Sequence, residues 1–502
     1  MSVLEDFSNL NAKLFVDGAL RASEASDGFD VIDPATETTL SHVADATDAE
    51  IDEAVAAANL AQKAWNAQNA LTRAEALHEV ARKLRALAPR LAEAATREMG
   101  KPYKETADEV EWSATAFDYY AEAARHEAGR VVGPVTDGQL HFTVKEPLGT
   151  VVVILPFNFP YVLYAWEAAA ALATGNAVIL KPSENTSLCS LMMMEALSHL
   201  PAGLAQCVTG GGRVGARLVE HKDTHGVAFT GSVPTGQAVA RACAETFKRA
   251  LIEASGNDPF LVMPSAPMDV AARGTAFAAY LNCGQVCTAA ERIYVHESIH
   301  DEFVERIVGL ADGLRIGNGL EKVDMGPMVS SRERDRYEGV LRRAIEQGAK
   351  VVTGGGRPAG SNVGWFVEAT VLTECTPDMD ILNNESFGPV APICRVRDLD
   401  EAIELANRSR FGLGANIYTA DLKESMRAVN ELEAGMVWVN APLLDNDAGP
   451  FGGRKMSGTG RQLGAEGLDQ FRHTKLVMID PNCNPQDFWW FPYADDEAFP
   501  GT

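Results

Sequence analysis

Two cysteines stand four residues apart in Asn282-Cys283-Gly284-Gln285-Val286-Cys287-Thr288. A free cysteine is most often a buried, inert side chain. Gly284 argues instead for a tight loop, one that could present the Cys287 thiol as a nucleophile. Glu253 ends a short apolar run and is the kind of carboxylate a cysteine enzyme uses as its base; a surface ion pair is its plainer reading. Asn158 lies between two prolines in Pro156-Phe157-Asn158-Phe159-Pro160, directly after another apolar run. Held on so fixed a loop, its amide could donate to a developing oxyanion, although an Asn that stabilises a turn is the alternative. Spacing alone does not connect Glu253 to Cys287.

Two further segments suggest phosphate and ribose chemistry. Gly210-Gly211-Gly212-Arg213-Val214-Gly215 satisfies the dinucleotide fingerprint GxGxxG between a strand candidate and a helix candidate. No acid follows at the distance where a ribose ligand should stand, so a glycine-rich turn is the simpler reading. Lys181-Pro182-Ser183-Glu184 follows the next apolar run. A Lys and a Glu at a strand's C-terminal end could bind ribose hydroxyls, or Ser183 could simply cap a helix.

The elements that must carry these residues form an alternating series. Short apolar runs at 151–155, 177–180, 207–209, 227–230 and 250–252 are separated by helical stretches, one of them at 188–200. Short buried strands alternating with helices predict a parallel sheet covered on both faces, hence a doubly wound domain. A second series begins at Pro259, with strands at 260–263, 293–296 and 436–439 and helices at 268–280, 299–314 and 332–347. The glycine-rich 354–364 reads as a surface loop. The first 130 residues read as mostly helical, with capping boxes at Thr47–Glu50 and Thr72–Glu75 and a helix stop at Gly100. A strand is predicted at 140–145. The tail, 482–502, is acidic and aromatic.

At 502 residues the chain has room for about three domains of roughly 150 residues. Its 44 basic against 69 acidic side chains give a net charge of −25, which disfavours general nucleic-acid binding. No apolar run reaches the roughly 20 residues of a membrane helix, and the acidic start MSVLEDFSNL is unlike a signal peptide. Eight cysteines with no CxxC pair fit neither a disulfide framework nor a zinc site, and a reducing cytoplasm suits them best. No metal ligand set is expected.

Taken together, PFNFP, ALATGNAVILKPSE, FTGSVPTG, Glu253, GQVC, ESFGPV and PFGGRKMSGTGR resemble the NAD(P)-dependent aldehyde dehydrogenase superfamily, in family order, from about residue 14 to 480. The resemblance implies two doubly wound, Rossmann-like α/β domains plus a small β oligomerisation element. Residues 1–136 and 149–254 would form the NAD-binding domain, 255–469 the catalytic domain, and 137–148 with 470–502 the oligomerisation element and its C-terminal arm. It implies NAD as cofactor, a small-molecule aldehyde as substrate, and a homodimer or homotetramer.

Site roles follow by the same resemblance. Cys287 matches the nucleophile, Asn158 the oxyanion donor, and Glu253 the base that activates water on the thioester. Lys181 and Glu184 match the adenine-ribose ligands, and Glu184 would disfavour a 2′-phosphate. Ser232 matches the pyrophosphate ligand at a helix start, Pro156, Phe229 and Gly231 match further cofactor-binding positions, and Glu385 and Phe387 match the residues that hold the nicotinamide ribose and ring. Trp112, Trp166, Val286, Thr288, Leu443, Asp445 and Phe451 should line the aldehyde tunnel. That set lacks an arginine, which disfavours an anionic substrate. The chain departs from the usual pattern at Glu253-Ala254-Ser255-Gly256, where Gly-Gly is more common, and in placing Phe157 where many members have Trp. A CoA-acylating semialdehyde dehydrogenase and a catalytically silent protein on the same fold are the rival readings; retention of Glu253 disfavours the first, and intact Cys287, Asn158 and Glu253 disfavour the second. The aromatic cluster Phe488-Trp489-Trp490-Phe491-Pro492-Tyr493 is expected to be buried, on its own chain or on a neighbouring subunit.

Overall fold

The computed structural model describes residues 2–126, 128–486, 490–491 and 493. Its larger sheet has eight strands, in the order Gly458–Thr459, Arg249–Ala254, Gly226–Gly231, Thr150–Ile154, Ala177–Lys181, Ala205–Cys207, Lys13–Val16 and Ala19–Ala22. The run from Arg249–Ala254 to Ala205–Cys207 is parallel throughout. Its strands are short, apolar and buried on both faces, as helix-covered parallel strands must be. Helices Val162–Ala173 and Ser187–Leu197 are apolar nearly all round because they are enclosed on every side.

The second sheet has seven strands: Lys350–Thr353, Thr370–Thr373, Val390–Val396, Ala290–His296, Asp258–Val262, Gly414–Tyr418 and Met436–Val439. All pairs are parallel except the first. Each sheet has its own hydrophobic core. One gathers residues from Val3 to Ile252 with a few from the chain's end, such as Phe451 and Leu468; the other runs from Phe260 to Ala434. The fold is two doubly wound, Rossmann-like α/β units. A third, antiparallel sheet pairs Arg472–Ile479 with Leu140–Pro147 in the register Thr474↔Lys145, and Val131–Val132 completes it.

The first 130 residues are mostly helical, as expected, but two details need correction. Residues 13–44 are not helical but hold four strands, Lys13–Val16, Ala19–Ala22, Gly28–Ile32 and Thr39–Ala44. Leu14, Phe15 and Val16 are buried in succession and 19–22 are exposed in succession, so neither strand carries the alternation that reveals one in sequence. The second correction concerns Thr72–Glu75. The helix there runs Ala70–Met99, and Asn69 takes the cap by accepting the Thr72 N–H at 3.0 Å; Thr72 lies inside the first turn. Thr47–Glu50 does form a capping box, and the long helix stops at Gly100, whose φ of +92° suits glycine.

The strand Arg472–Ile479 presents Leu476, Met478 and Ile479 to solvent. After it the chain turns back on the same sheet: Gln486 reaches Asp480, and Trp490 borders a groove with Met478 and Ile479. Phe491 stays exposed, its ring 4.6 Å from that of Tyr493. Phe488, Trp489 and Pro492 lie outside the described residues. Among the described residues, no helix is long and apolar enough to cross a membrane, and no cluster of His, Cys, Asp and Glu could hold a metal ion.

Candidate active site

In the larger sheet the strand order reverses between Thr150–Ile154 and Gly226–Gly231, so the crevice beyond their C-terminal ends is where such sheets bind ligands. The loop with Asn158 leaves one of these strands, and Gly231-Ser232 leaves the other. Both line a cavity of about 340 Å³ that also takes in Pro156, Glu253, Cys287, Glu385 and Phe387. Residues from five separate segments thus meet in one place. Glu253, read as a surface residue on the plainer view, is instead only 2% exposed.

Cys287 is half-buried at this cavity, whereas Cys283 is fully enclosed. The two do not share a helical face. A short turn, Leu281–Gly284, carries Asn282 and Cys283 at φ near +50° and Gly284 at +71°. A Cβ on Gly284 would meet the Gly388 carbonyl group at 2.2 Å, so only glycine permits this turn to pass the loop that carries Glu385 and Phe387.

Burial pushes the Glu253 carboxyl up to about 8, with the Glu385 carboxylate adding to the rise; the Cys287 thiol and the Thr230 hydroxyl work against it by hydrogen bonding. One Glu253 oxygen, Oε1, is buried without a partner. Burial, and then the Glu253 charge, hold the Cys287 thiol well above the ordinary range. The pair is therefore poised as thiol beside carboxyl, with a short path for the proton.

Asn158 is 2% exposed. Its backbone carbonyl accepts from Lys101 Nζ at 2.9 Å and Asn282 Nδ2 at 3.1 Å. Lys101 in turn pairs with Glu109, both side chains fully buried. The Gly256 backbone presses so closely on Cys287 that a Cβ there would meet its carbonyl oxygen at 1.9 Å. Ser255 lies outside the left-handed region, so its backbone does not require glycine.

The residues expected to bind the cofactor lie along the same crevice. Lys181 Nζ is 3.7 Å from Glu184 Oε2 at the end of one parallel strand, Lys181 buried and Glu184 open to solvent. Ser183 caps the short turn that follows, accepting the Asn185 N–H at 3.3 Å, as the capping reading of this motif expects. Ser232 precedes the helix Val233–Ala244, and no side chain caps that helix, which leaves its first N–H groups open to an anion. A Cβ on Gly231 would strike the Phe229 ring at 2.8 Å. Phe229 itself is 3% exposed and forms the floor beneath the glycines rather than the cavity wall. Burial raises Glu385 to about 8, and its Oε1 accepts the Gly256 N–H at 3.2 Å. Phe387, at φ +47°, sets its ring edge-on to Phe157 with centroids 5.8 Å apart. This set suits a dinucleotide. By contrast, Asp45 accepts the Gly211 N–H at 2.8 Å and engages Arg213, so an acid already occupies the helix start behind the GxGxxG segment.

Several residues at the site carried no legible signal in sequence. Arg332, Glu333 and Arg336 also line the cavity. Arg336 donates to the Ser386 carbonyl at 2.8 Å and pairs with Glu333 at 2.8 Å. From beneath, the buried Glu291 accepts from Ser386 N, Ser386 Oγ and Phe387 N at 2.7–3.0 Å and so locks the loop that presents Glu385. In sequence these were charged positions on an amphipathic helix and one acid within a strand; only their common target gives them meaning.

Of the expected tunnel residues, Trp166 and Phe451 meet with ring centroids 5.0 Å apart and planes tilted by 49°, both buried, and Val286 and Thr288 flank Cys287, also buried. Leu443 is half-buried at φ +57°. Asp445 is open to solvent yet hemmed in by protein, which raises its carboxyl to about 7, and its charge reaches Cys287. Trp112 borders a different cavity, of about 540 Å³, with Phe159 and Phe277; Cys287 is not part of it.

The sequence pattern of the Aldehyde dehydrogenase family matches residues 20–477. The 3-sulfolactaldehyde dehydrogenase of Pseudomonas putida is 36% identical over 484 residues, 95% of this chain and 99% of that protein. The betaine aldehyde dehydrogenase of Brucella canis is 37% identical over 476 residues, 93% and 97% of the two chains. The NAD+ complex of an aldehyde dehydrogenase from Bacillus cereus superposes with a TM-score of 0.92 at 35% identity, covering 95% of this chain and 98% of that one. The chain belongs to the aldehyde dehydrogenase family, a family of oxidoreductases.

Proposed function

We propose that this protein oxidises an aldehyde to its carboxylic acid with NAD, through a covalent intermediate on Cys287. The observation that carries the reading is the meeting of Cys287, Glu253 and Asn158 in one cavity beside Glu385 and Phe387. Lys181 and Glu184 would hold the adenine ribose, and the open N-terminus at Ser232 the pyrophosphate. Glu385 would hold the nicotinamide ribose, with Phe387 against the ring. NAD bound in this way supplies a hydride acceptor. Glu184 favours it over NADP, because its carboxylate would repel a 2′-phosphate.

The chain's own groups do the rest. Glu253 takes the thiol proton as Cys287 sulfur bonds to the aldehyde carbon, giving a thiohemiacetal. The Asn158 amide and the Cys287 N–H stabilise the oxygen that gains charge. After hydride departs, Glu253 gives up the thiol proton to solvent; ionised again, it takes a proton from the water that attacks the thioester carbonyl. The acid leaves and the Cys287 thiolate regains its proton. Substituting Cys287→Ala abolishes NADH formation, whereas Cys283→Ala, which alters an enclosed side chain, leaves most of it. Glu253→Gln lets the thioester accumulate, visible as an increase in intact mass. Normal turnover by Glu253→Gln would remove the base assignment.

Asp445 beside the tunnel, with aromatic walls from Trp166 and Phe451, favours neutral or cationic aldehydes over anionic ones. A panel of aldehydes ranked by kcat/KM tests this. We read the two sheet units as the NAD-binding and catalytic domains, divided near residue 254. The exposed edge of Arg472–Ile479 would be covered by a second copy of the chain, giving a homodimer or homotetramer.

A further inference from the structure

Beneath the cavity, the start of one helix holds the two loops that must supply the oxyanion donors. Helix Tyr103–His126 carries Glu105 and Glu109 one turn apart, so their side chains share a face. Glu105 Oε2 accepts the backbone N–H of Asn282 at 3.0 Å, in the turn that leads to Cys287. Glu109 Oε1 accepts from Tyr161 N at 2.8 Å and Val162 N at 3.2 Å, where the Asn158 loop ends. Lys101 joins Glu109 to the Asn158 carbonyl.

Asn282 closes the arrangement. Its Nδ2 donates at 3.1 Å to the Asn158 carbonyl and at 3.1 Å to the Gln285 carbonyl, so a single amide group ties the oxyanion loop to the nucleophile loop. Gln285 returns a bond to the Asn282 carbonyl at 3.0 Å, and its Oε1 accepts Val329 N at 3.1 Å. Asn282 is 1% exposed and sits at φ +51°, ψ +37°, a left-handed conformation that an unsupported residue leaves readily. Tightly held strain of this kind collects where geometry matters to function.

We propose that Asn282 is a positioning residue: its side-chain amide, backed by Lys101, Glu105 and Glu109, fixes the separation between the Asn158 amide and the Cys287 N–H and so sets the geometry of the oxyanion site. The inference rests on the catalytic reading of Cys287 and Asn158 given above. Asn282 touches neither substrate nor cofactor in this role. It acts through the two backbones it joins, and a misplacement of about 1 Å in such a site can slow the chemical step about 100-fold.

The test is a double-mutant cycle on the full-length enzyme. Asn282→Gly removes the tie while glycine accepts the left-handed backbone without strain. The expected result is a fall of about 100-fold in single-turnover hydride transfer, with the NAD dissociation constant and the melting temperature little changed. In an Asn158→Ala background the same substitution should cost less than about tenfold, because the donor it positions is already gone. A merely structural role would lower both backgrounds by the same factor, and that outcome overturns the proposal. Asn282→Asp is the second variant: it keeps the shape but turns an oxygen toward two carbonyl oxygens. Wild-type hydride transfer by either variant also overturns the proposal. If instead Cys287→Ala keeps turning over, or Asn158→Ala transfers hydride normally, the catalytic reading fails, and that failure is distinct.

Discussion

At the scale of single residues, the mechanism proposed above makes the protonation of Glu253 govern when the site can work. Burial and the Glu385 charge hold its carboxyl near 8, so at neutral pH it mostly carries a proton and cannot accept another from water. A base acts only when ionised, and thioester hydrolysis should therefore rise with pH and level off above about 8. The pH profile of kcat, measured under conditions where deacylation limits the rate, checks this; a plateau already reached at pH 6 would contradict it. Cys287 acts in the same direction, since its thiol is raised by burial and by the Glu253 charge. Both groups were visible in sequence as candidates, because a glycine or the end of an apolar run marks each. Their mutual contact was not visible. It depends on two sheets meeting, and no local pattern records that.

At the scale of elements, the close approach of Gly256 to Cys287 separates two neighbouring positions that look alike in sequence. A Cβ at Gly256 would meet the Cys287 carbonyl oxygen at 1.9 Å, while Ser255 has an ordinary backbone conformation. Gly256→Ala should therefore displace the nucleophile turn and slow turnover by about 100-fold or more, as misplacement of a reacting atom by about 1 Å does. Ser255→Gly should stay near wild type. Turnover together with the rate of Cys287 alkylation by iodoacetamide distinguishes the two. The parallel strands were legible in sequence because each is a short apolar run bounded by turns. The N-terminal strands were not, since Leu14–Val16 are buried in succession on a partly covered sheet edge. The Thr72 cap was misplaced for a local reason: Asn69, three residues earlier, offers the better geometry at the true helix start. Nothing local in the sequence marks Lys101, Glu109 or Glu291, because the loops they hold reach them only in the folded chain.

At the scale of the whole molecule, a set of buried carboxyls ties stability to pH. Glu98 and Asp258 are pushed up to about 7, and Glu105, Glu167, Glu253 and Glu385 to about 8, each mainly by burial. A carboxyl raised in the folded state stabilises it fully below the unfolded value, near 4, and loses that contribution as pH rises through 7 to 8. The net charge of −25 adds self-repulsion in the same direction. Melting temperature should thus fall between pH 6 and pH 9 in differential scanning calorimetry, and a rise across that range would refute the assignment. The exposed edge at Leu476, Met478 and Ile479 makes a second prediction. Truncation after Pro481 should weaken the oligomer in light scattering and alter aldehyde preference, if the aromatic tail docks on a neighbouring subunit; unchanged assembly and kinetics would return the tail to its own chain. The two hydrophobic cores carry one more consequence. Asn158 and Glu253 follow or end strands of the larger sheet, while Cys287, whose side chain packs against the first core, and Glu385 lie on segments leading into strands of the second, so on the mechanism proposed above neither half owns a working centre. Activity is then a gauge of how well the halves are docked rather than of whether each is folded. During refolding it should be the last signal to return, and in rising denaturant the first to disappear, while both cores still hold their helices and strands.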